Sequence, residues 1–152
     1  MKKLEKQILK AWILGSLIFA AFLGFVTEIA ARIGLEMPWL GVAVFAVSSV
    51  IGTVYSLYRY KNWGYEKKEG YLYLEHGVLR KVKSMVPHVR IQHVDSQRSV
   101  MDRVFGLSSV VVYTAGSRGA DVNIPGLTPK KAEELQSYLR KVAIESEDED
   151  AV

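Results

Sequence analysis

The chain contains no cysteine and only three histidines in 152 residues. Without thiols it has neither a disulfide framework nor thiolate chemistry. His76, His88 and His93 match no standard ligand spacing, and adjacent strand positions point to opposite faces, so no metal site is expected. No serine lies in a G-x-S-x-G elbow, and no Walker or dinucleotide motif is present. These absences point away from an enzyme, a cofactor and a small-molecule substrate. Charge is missing in a more informative way. Residues 11–58 hold only Glu28, Arg32 and Glu36 as charged side chains, although the whole chain is 24% charged. A plain soluble protein does not distribute charge like this. Disorder is excluded as well, since 49% of the residues are hydrophobic.

What fills the charge-poor region is apolar. Ala11–Thr27 is an uncharged run that would span ~26 Å as a helix and can continue through Ile29–Ala31. Met37–Tyr58 is a second run, ~33 Å long. Gly34 and Pro38 lie between them and suggest a tight turn. The reading is a two-helix transmembrane hairpin over residues 11–58, preceded by a basic N-terminus at 1–10. Lys2, Lys3, Lys6 and Lys10 precede the first helix, and Arg59, Lys61, Lys67 and Lys68 follow the second. The positive-inside rule then places both termini in the cytoplasm. This predicts a multi-pass membrane protein. Trp12, Trp39, Arg59, Lys61, Trp63, Lys67 and Lys68 are the candidate membrane-interface residues. Glu28 lies four residues before Arg32 and is expected to pair with it near the outer boundary. Small residues at Ala11/Gly15, Ala20/Gly24 and Ser48/Gly52 have the spacing that lets helices approach closely.

From Trp63 the pattern changes to alternation. Tyr71-Leu72-Tyr73-Leu74 places leucines on one face and tyrosines on the other. Further strands are read around Val78, Val82 and Val86, at Arg90–Asp95, at Val110–Thr114 and at Ala120–Ile124, with a turn at Gly116–Gly119. That gives about six short strands. Ser99–Phe105 reads as a helical turn ended by Gly106 and anchored by Val100, Val104 and Phe105. Thr128 caps a final helix that starts at Pro129, with an apolar stripe at Ala132, Leu135, Leu139 and Val142. The acidic residues 145–152 are expected to be a disordered tail. They hold five of the sixteen acids, leaving 20 basic and 11 acidic residues before them.

One stretch also resembles a known family. Val86-Pro87-x-x-Arg90-Ile91-Gln92-His93-Val94-Asp95 leads to Ser99-x-x-Asp102-Arg103-x-x-Gly106-Leu107, then to Val110-x-Val112-x-Thr114-Ala115-Gly116. This is similar to the pleckstrin-homology (PH)-like domain of YdbS-like, membrane-flanked proteins of bacteria and archaea. The resemblance covers roughly residues 63–144, within a cytoplasmic domain read over 59–144, and the hairpin matches that family's layout. It implies a membrane-anchored α+β chain: a transmembrane hairpin, then a seven-stranded, partly open antiparallel barrel closed by a C-terminal helix. It implies no enzymatic activity. Pro87, Arg90, Ile91, Gln92, Asp95, Asp102, Arg103, Gly106, Leu107, Thr114 and Gly116 are its motif residues, with structural or docking roles. Asp95 and Asp102 are candidates to satisfy Arg90 and Arg103.

Two binding functions follow as expectations. The first is a scaffold or recruitment module for a protein partner or further copies of the chain, using free sheet edges. The second is a sensor of anionic membrane lipid at the inner leaflet. Arg59–Arg118 carries 11 basic and 5 acidic residues, and Arg80, Lys81, Lys83 and Arg118 could converge on a headgroup. In PH folds, however, headgroups are held by a basic first turn, and here that turn is Glu66-Lys67-Lys68-Glu69-Gly70, with acids flanking the lysines. Tyr71 and Tyr73 lack any RNA-binding consensus around them, so no nucleic-acid partner is expected.

Overall fold

The computed structural model describes residues 1–34, 37, 39–115 and 120–150. The chain divides into two compact units: Leu9–Lys61, and Met1–Ile8 together with Asn62–Val152.

The first unit is helical. Helix α1 (Lys6–Gly34) has 29 residues and α2 (Leu40–Asn62) has 23, about 43 and 34 Å long. Only 11% of the apolar window of each helix is buried. Ile18, Phe19, Phe22, Phe25, Val42, Val50 and Ile51 are all well exposed, as a lipid solvent allows and water does not. The two helices meet through small residues. A Cβ on Gly24 would lie 2.8 Å from Cβ of Phe45 and 2.9 Å from the Gly41 carbonyl, and one on Gly52 would lie 2.7 Å from Cβ of Ser16. A Cβ on Gly15 would meet nothing within 4 Å among the described residues, so of that pair only Ala11 is packed. Glu28 does pair with Arg32 (2.8 Å), and its other carboxylate oxygen accepts the Gly41 N–H at 3.2 Å. It therefore also caps the first turn of α2. Of the turn between the helices, Leu35, Glu36 and Pro38 lie outside the described residues.

The second unit has six strands in two antiparallel sheets. β1 (Gly64–Lys68), β2 (Tyr71–His76) and β3 (Val82–Pro87) form one sheet in that order. β4 (Ile91–Gln97), β5 (Ser108–Thr114) and β6 (Ala120–Leu127) form the other. The sheets do not close into a barrel, and the described residues hold six strands rather than seven. Val78 is not in a strand: Gly77 takes a φ of 114°, and Leu79 after it is 98% exposed. Leu72, Leu74 and Val86 are buried from the first sheet, and Ile91, Val94, Val110, Val112 and Ile124 from the second. Strand β6 runs past Ile124 because Pro125 sits at a register irregularity on an edge strand, where no ladder N–H is needed. Beside it, Gly126 adopts φ 65°.

Helix α3 (Val100–Phe105) connects β4 to β5. Ser99 and Asp102 close a capping box, and Gly106 ends the helix in the left-handed region. Its expected anchors are only partly so, since Val100 and Val104 are 77% and 70% exposed. Helix α4 (Pro129–Asp150) begins as expected, with Thr128 Oγ1 accepting the Lys131 N–H. Its buried stripe is Ala132, Leu135, Leu139 and Ala143. Ala143, not Val142, completes the stripe, because it lies one turn beyond Leu139. The helix also continues through the acidic residues expected to be disordered, as far as Asp150. A Lys141–Glu145 pair and a Ser146 hydroxyl bonded to the Val142 carbonyl carry it past Ile144.

Residues 1–8 are built into this domain. Lys2 and Tyr65 exchange backbone hydrogen bonds across the open side of β1, at 2.7 and 3.0 Å. The Glu5 N–H bonds the Gly126 carbonyl at 2.8 Å, and the Glu5 carboxylate pairs with Lys131. Leu4 and Ile8 are each 4% exposed. A Cβ on Gly126 would meet Ile8 at 2.7 Å. Glycine there serves both the positive φ and the close approach.

Candidate functional site

The motif residues separate into framework and surface. Ile91 and Leu107 are core side chains, 4% and 1% exposed. Pro87 ends β3 opposite Tyr71. Thr114 ends β5 opposite Ile91. Asp102 accepts from both the N–H and the hydroxyl of Ser99 (2.9 and 2.7 Å), so its role is helix capping rather than satisfying Arg103. Asp95 likewise takes His93 as its partner, 2.7 Å away, instead of Arg90. Arg90 and Arg103 are both exposed. Gly106 supplies the αL cap. Gly116 lies outside the described residues, as does the rest of the turn expected at Gly116–Gly119, with Arg118. Arg80, Lys81 and Lys83 are exposed.

Gln92 and Asp95 remain on the surface together with His93, and the structure gathers them with a part of α4. A cleft of about 350 Å³ runs between β4 and α4, lined by Ile91, Gln92, His93, Val94, Asp95, Gln136, Arg140, Ala143 and Ile144. Ile91, Val94 and Ala143 are its buried apolar members. Ile144, 58% exposed, adds an apolar rim, and the polar side chains and Arg140 form the walls. β4 is the outer strand of its sheet. The Gln136 side-chain amide donates to the outward Val94 carbonyl at 2.8 Å, which shows that this edge already accepts a hydrogen bond from outside the ladder.

A second cleft, about 330 Å³, is lined by Lys2, Lys3, Tyr65, Lys67, Lys131, Glu134 and Leu135. Strand alternation puts Lys67 and Lys68 of the β1–β2 turn on opposite sides. Lys67 lies over the Tyr138 ring of α4 at 4.2 Å, whereas Lys68 turns to Tyr73 and, at 4.0 Å, to Glu66. The two lysines thus do not make a joint headgroup loop. Burial lowers the Lys67 ammonium pKa, the nearby charge of Lys2 lowers it further, and Glu134 partly opposes both. Burial raises the pKa of the Tyr65 phenol. Lys131 is raised by its hydrogen bond to Glu5.

Other interface candidates are distributed between the units. In the helical unit, the Arg59 guanidinium lies 4.0 Å from the centre of the Trp12 ring, and Trp39 is 61% exposed. Lys61 is exposed at the end of α2. Trp63 differs from expectation: it is 5% exposed and stacks on His76 at 5.7 Å, so its ring belongs to the domain interior. His88 is also buried, edge-on to Tyr138 at 6.2 Å. Burial lowers its pKa, and its Nε2 has no hydrogen-bond partner among the described residues. Among the described residues no three His, Asp or Glu side chains gather as a metal site would require.

Sequence reading missed the contributions of Lys2, Lys3, Lys131, Gln136 and Arg140. For the N-terminal lysines a signal was present: Leu4, Ile8 and Ala11 recur at helical spacing amid lysines, as expected of a segment with a face to bury.

Comparison with known proteins gives two matches. The sequence family described as bacterial PH domain matches residues 13–143. The chain is also 26% identical to the UPF0699 transmembrane protein YdbS of Bacillus subtilis (strain 168) over 152 aligned residues, covering 93% of this chain and 91% of that protein. No solved structure matches it.

Proposed function

The chain belongs to the bacterial PH domain family, and on that premise we propose that it is a non-catalytic recruitment module, a PH-like domain displayed by a membrane hairpin at the cytoplasmic face. The lysines before α1 and the basic residues after α2 support that orientation. The cleft between β4 and α4 is the observation that carries the recruitment reading. It combines an outer strand edge, whose Val94 carbonyl Gln136 already holds, with an apolar floor and polar walls. An extended segment of a partner protein would add along β4 by backbone hydrogen bonds, its alternate side chains entering over Ile91 and Ala143. The absence of catalytic motifs from the sequence fits a binding role.

The test is photo-crosslinking in cells. A photoreactive side chain is placed at Gln92 or Ile144 in the cleft, and at Leu79, an exposed apolar position outside its lining. The expected result is a discrete crosslinked protein from both cleft positions and none from Leu79. Equal crosslinking from all three positions, or none from the cleft, would overturn the reading.

The alternative of an anionic-lipid sensor draws support from the lysine cleft, which takes Lys67 but not Lys68 from the β1–β2 turn.

A further inference from the structure

We propose that the cleft formed by Lys2, Lys3, Lys67 and Lys131 binds a phosphate monoester, clamping the N-terminal segment to the domain. The inference rests on the sensor reading and deepens it by naming the site and the headgroup chemistry. Three observations converge. First, the lysines come from three separate places: the N-terminal segment, β1 and α4. Topology at a membrane requires basic residues near the helix ends, but it does not require Lys131, which lies far along the chain, to join them around one cleft.

Second, the lining is basic. Lys2, Lys3, Lys67 and Lys131 stand around it with Glu134, and Glu5 pairs with Lys131. Lysines outnumber the carboxylates, which suits an anion such as a phosphate monoester. Third, Lys67 is partly desolvated and repelled by Lys2, with Glu134 only partly opposing both, and an anion between the two lysines would offset the repulsion. The cleft is also large enough, at about 330 Å³, within the range of small-ligand sites. A ligand bridging Lys2 and Lys3 to Lys67 and Lys131 binds only when residues 1–8 are docked, so binding must stabilise the docked segment.

That linkage supplies the measurement. The Tyr65 N–H bonds the Lys2 carbonyl, so its hydrogen exchange reports undocking. Full-length protein in phosphatidylcholine nanodiscs is titrated with glycerol 3-phosphate and with inorganic phosphate. In parallel it is placed in nanodiscs doped with phosphatidate, or with phosphatidylglycerol at equal charge. At ten times the dissociation constant, Tyr65 exchange should slow about tenfold. The effect should vanish in Lys67→Gln and in Lys2→Gln, and persist in Lys68→Gln. Slowing by the soluble phosphates but not by phosphatidate supports the site and rejects a lipid source. Slowing by phosphatidate alone assigns the site to a lipid headgroup. If phosphatidylglycerol works as well as phosphatidate and Lys68→Gln weakens the effect as much as Lys67→Gln, the site is refuted and only generic attraction to an anionic surface remains. No slowing in any arm refutes the site and the sensor reading together.

Discussion

Replacing Leu4 by alanine tests whether the N-terminal segment is a working part of the domain. Leu4 and Ile8 are the apolar anchors, each 4% exposed. The Lys2–Tyr65 bridge and the Glu5 N–H bond to Gly126 are the polar ones. Truncating a buried leucine costs about 2 kcal/mol or more. The segment's backbone bonds go to the outer strands β1 and β6, so it can lift without breaking either sheet's ladders. The loss should therefore appear as local opening rather than as a lower global stability. About 2 kcal/mol corresponds to roughly 30-fold in the opening equilibrium. Hydrogen exchange on the full-length protein in neutral detergent reads this directly. Exchange at Tyr65 and Glu5 should accelerate roughly 30-fold in Leu4→Ala, while the amides of the central strand β5 stay at their original rates. Gly126→Ala should act on the same joint from the other side, since its Cβ would meet Ile8 at 2.7 Å on a backbone with φ 65°. An unchanged Tyr65 rate in Leu4→Ala would refute the docked segment. Equal acceleration in β5 would show instead that Leu4 belongs to the global core.

Two further outcomes are expected. His88 is buried and its pKa lies below 6.5, so the unfolded chain binds the proton more readily than the folded one. Stability is then full well above about pH 6.5 and falls as the pH drops through that value, until the folded site itself protonates. The thermal midpoint should decline between about pH 7.5 and pH 5.5, and His88→Phe should flatten that decline; an identical slope in the variant would exclude His88 as its source. In the hairpin, Gly52→Val should cost about 1–3 kcal/mol by overpacking against Ser16. Gly15→Val, with open space around it, should stay within about 0.5 kcal/mol. Thermal unfolding in detergent compares the two, and equal effects would show that the Gly52–Ser16 contact does not hold the helices.

The readable parts of the chain were those in which one local rule dominates. Uninterrupted apolarity marked both helices of the hairpin. Alternation in Tyr71–Leu74 assigned the buried leucines correctly, because β2 has one face in the core. Capping chemistry placed the start of α4 at Pro129 and the end of α3 at Gly106. Misreadings arose where a rule was applied without its tertiary partner. Arg90 and Arg103 looked like the charges that Asp95 and Asp102 should meet. The local geometry of a strand and of a capping box gave those acids to His93 and Ser99 instead. Trp63 looked like a membrane-boundary residue because it follows a membrane helix, yet β1 begins one residue later and draws the ring onto His76.

The clefts were illegible for a different reason. Lys2, Lys67 and Lys131 are each explained separately by an ordinary role: topology at the N-terminus, a solvated strand, the exposed side of a helix. Nothing in their spacing says that they share one space, because their convergence depends on the Pro125–Gly126 irregularity in β6. That irregularity lets Ile8 approach and presents the Gly126 carbonyl to Glu5, and Glu5 in turn meets Lys131. Alternation alone already required Lys67 and Lys68 to part. Which of the two would join the N-terminal lysines was decided by Tyr138, 71 residues further along, over whose ring Lys67 lies. A site assembled from a strand, a helix and a chain end is therefore legible only once the fold has brought its charges together. The Lys67→Gln and Lys68→Gln pair separates that assembled site from the net basicity that the sequence displays.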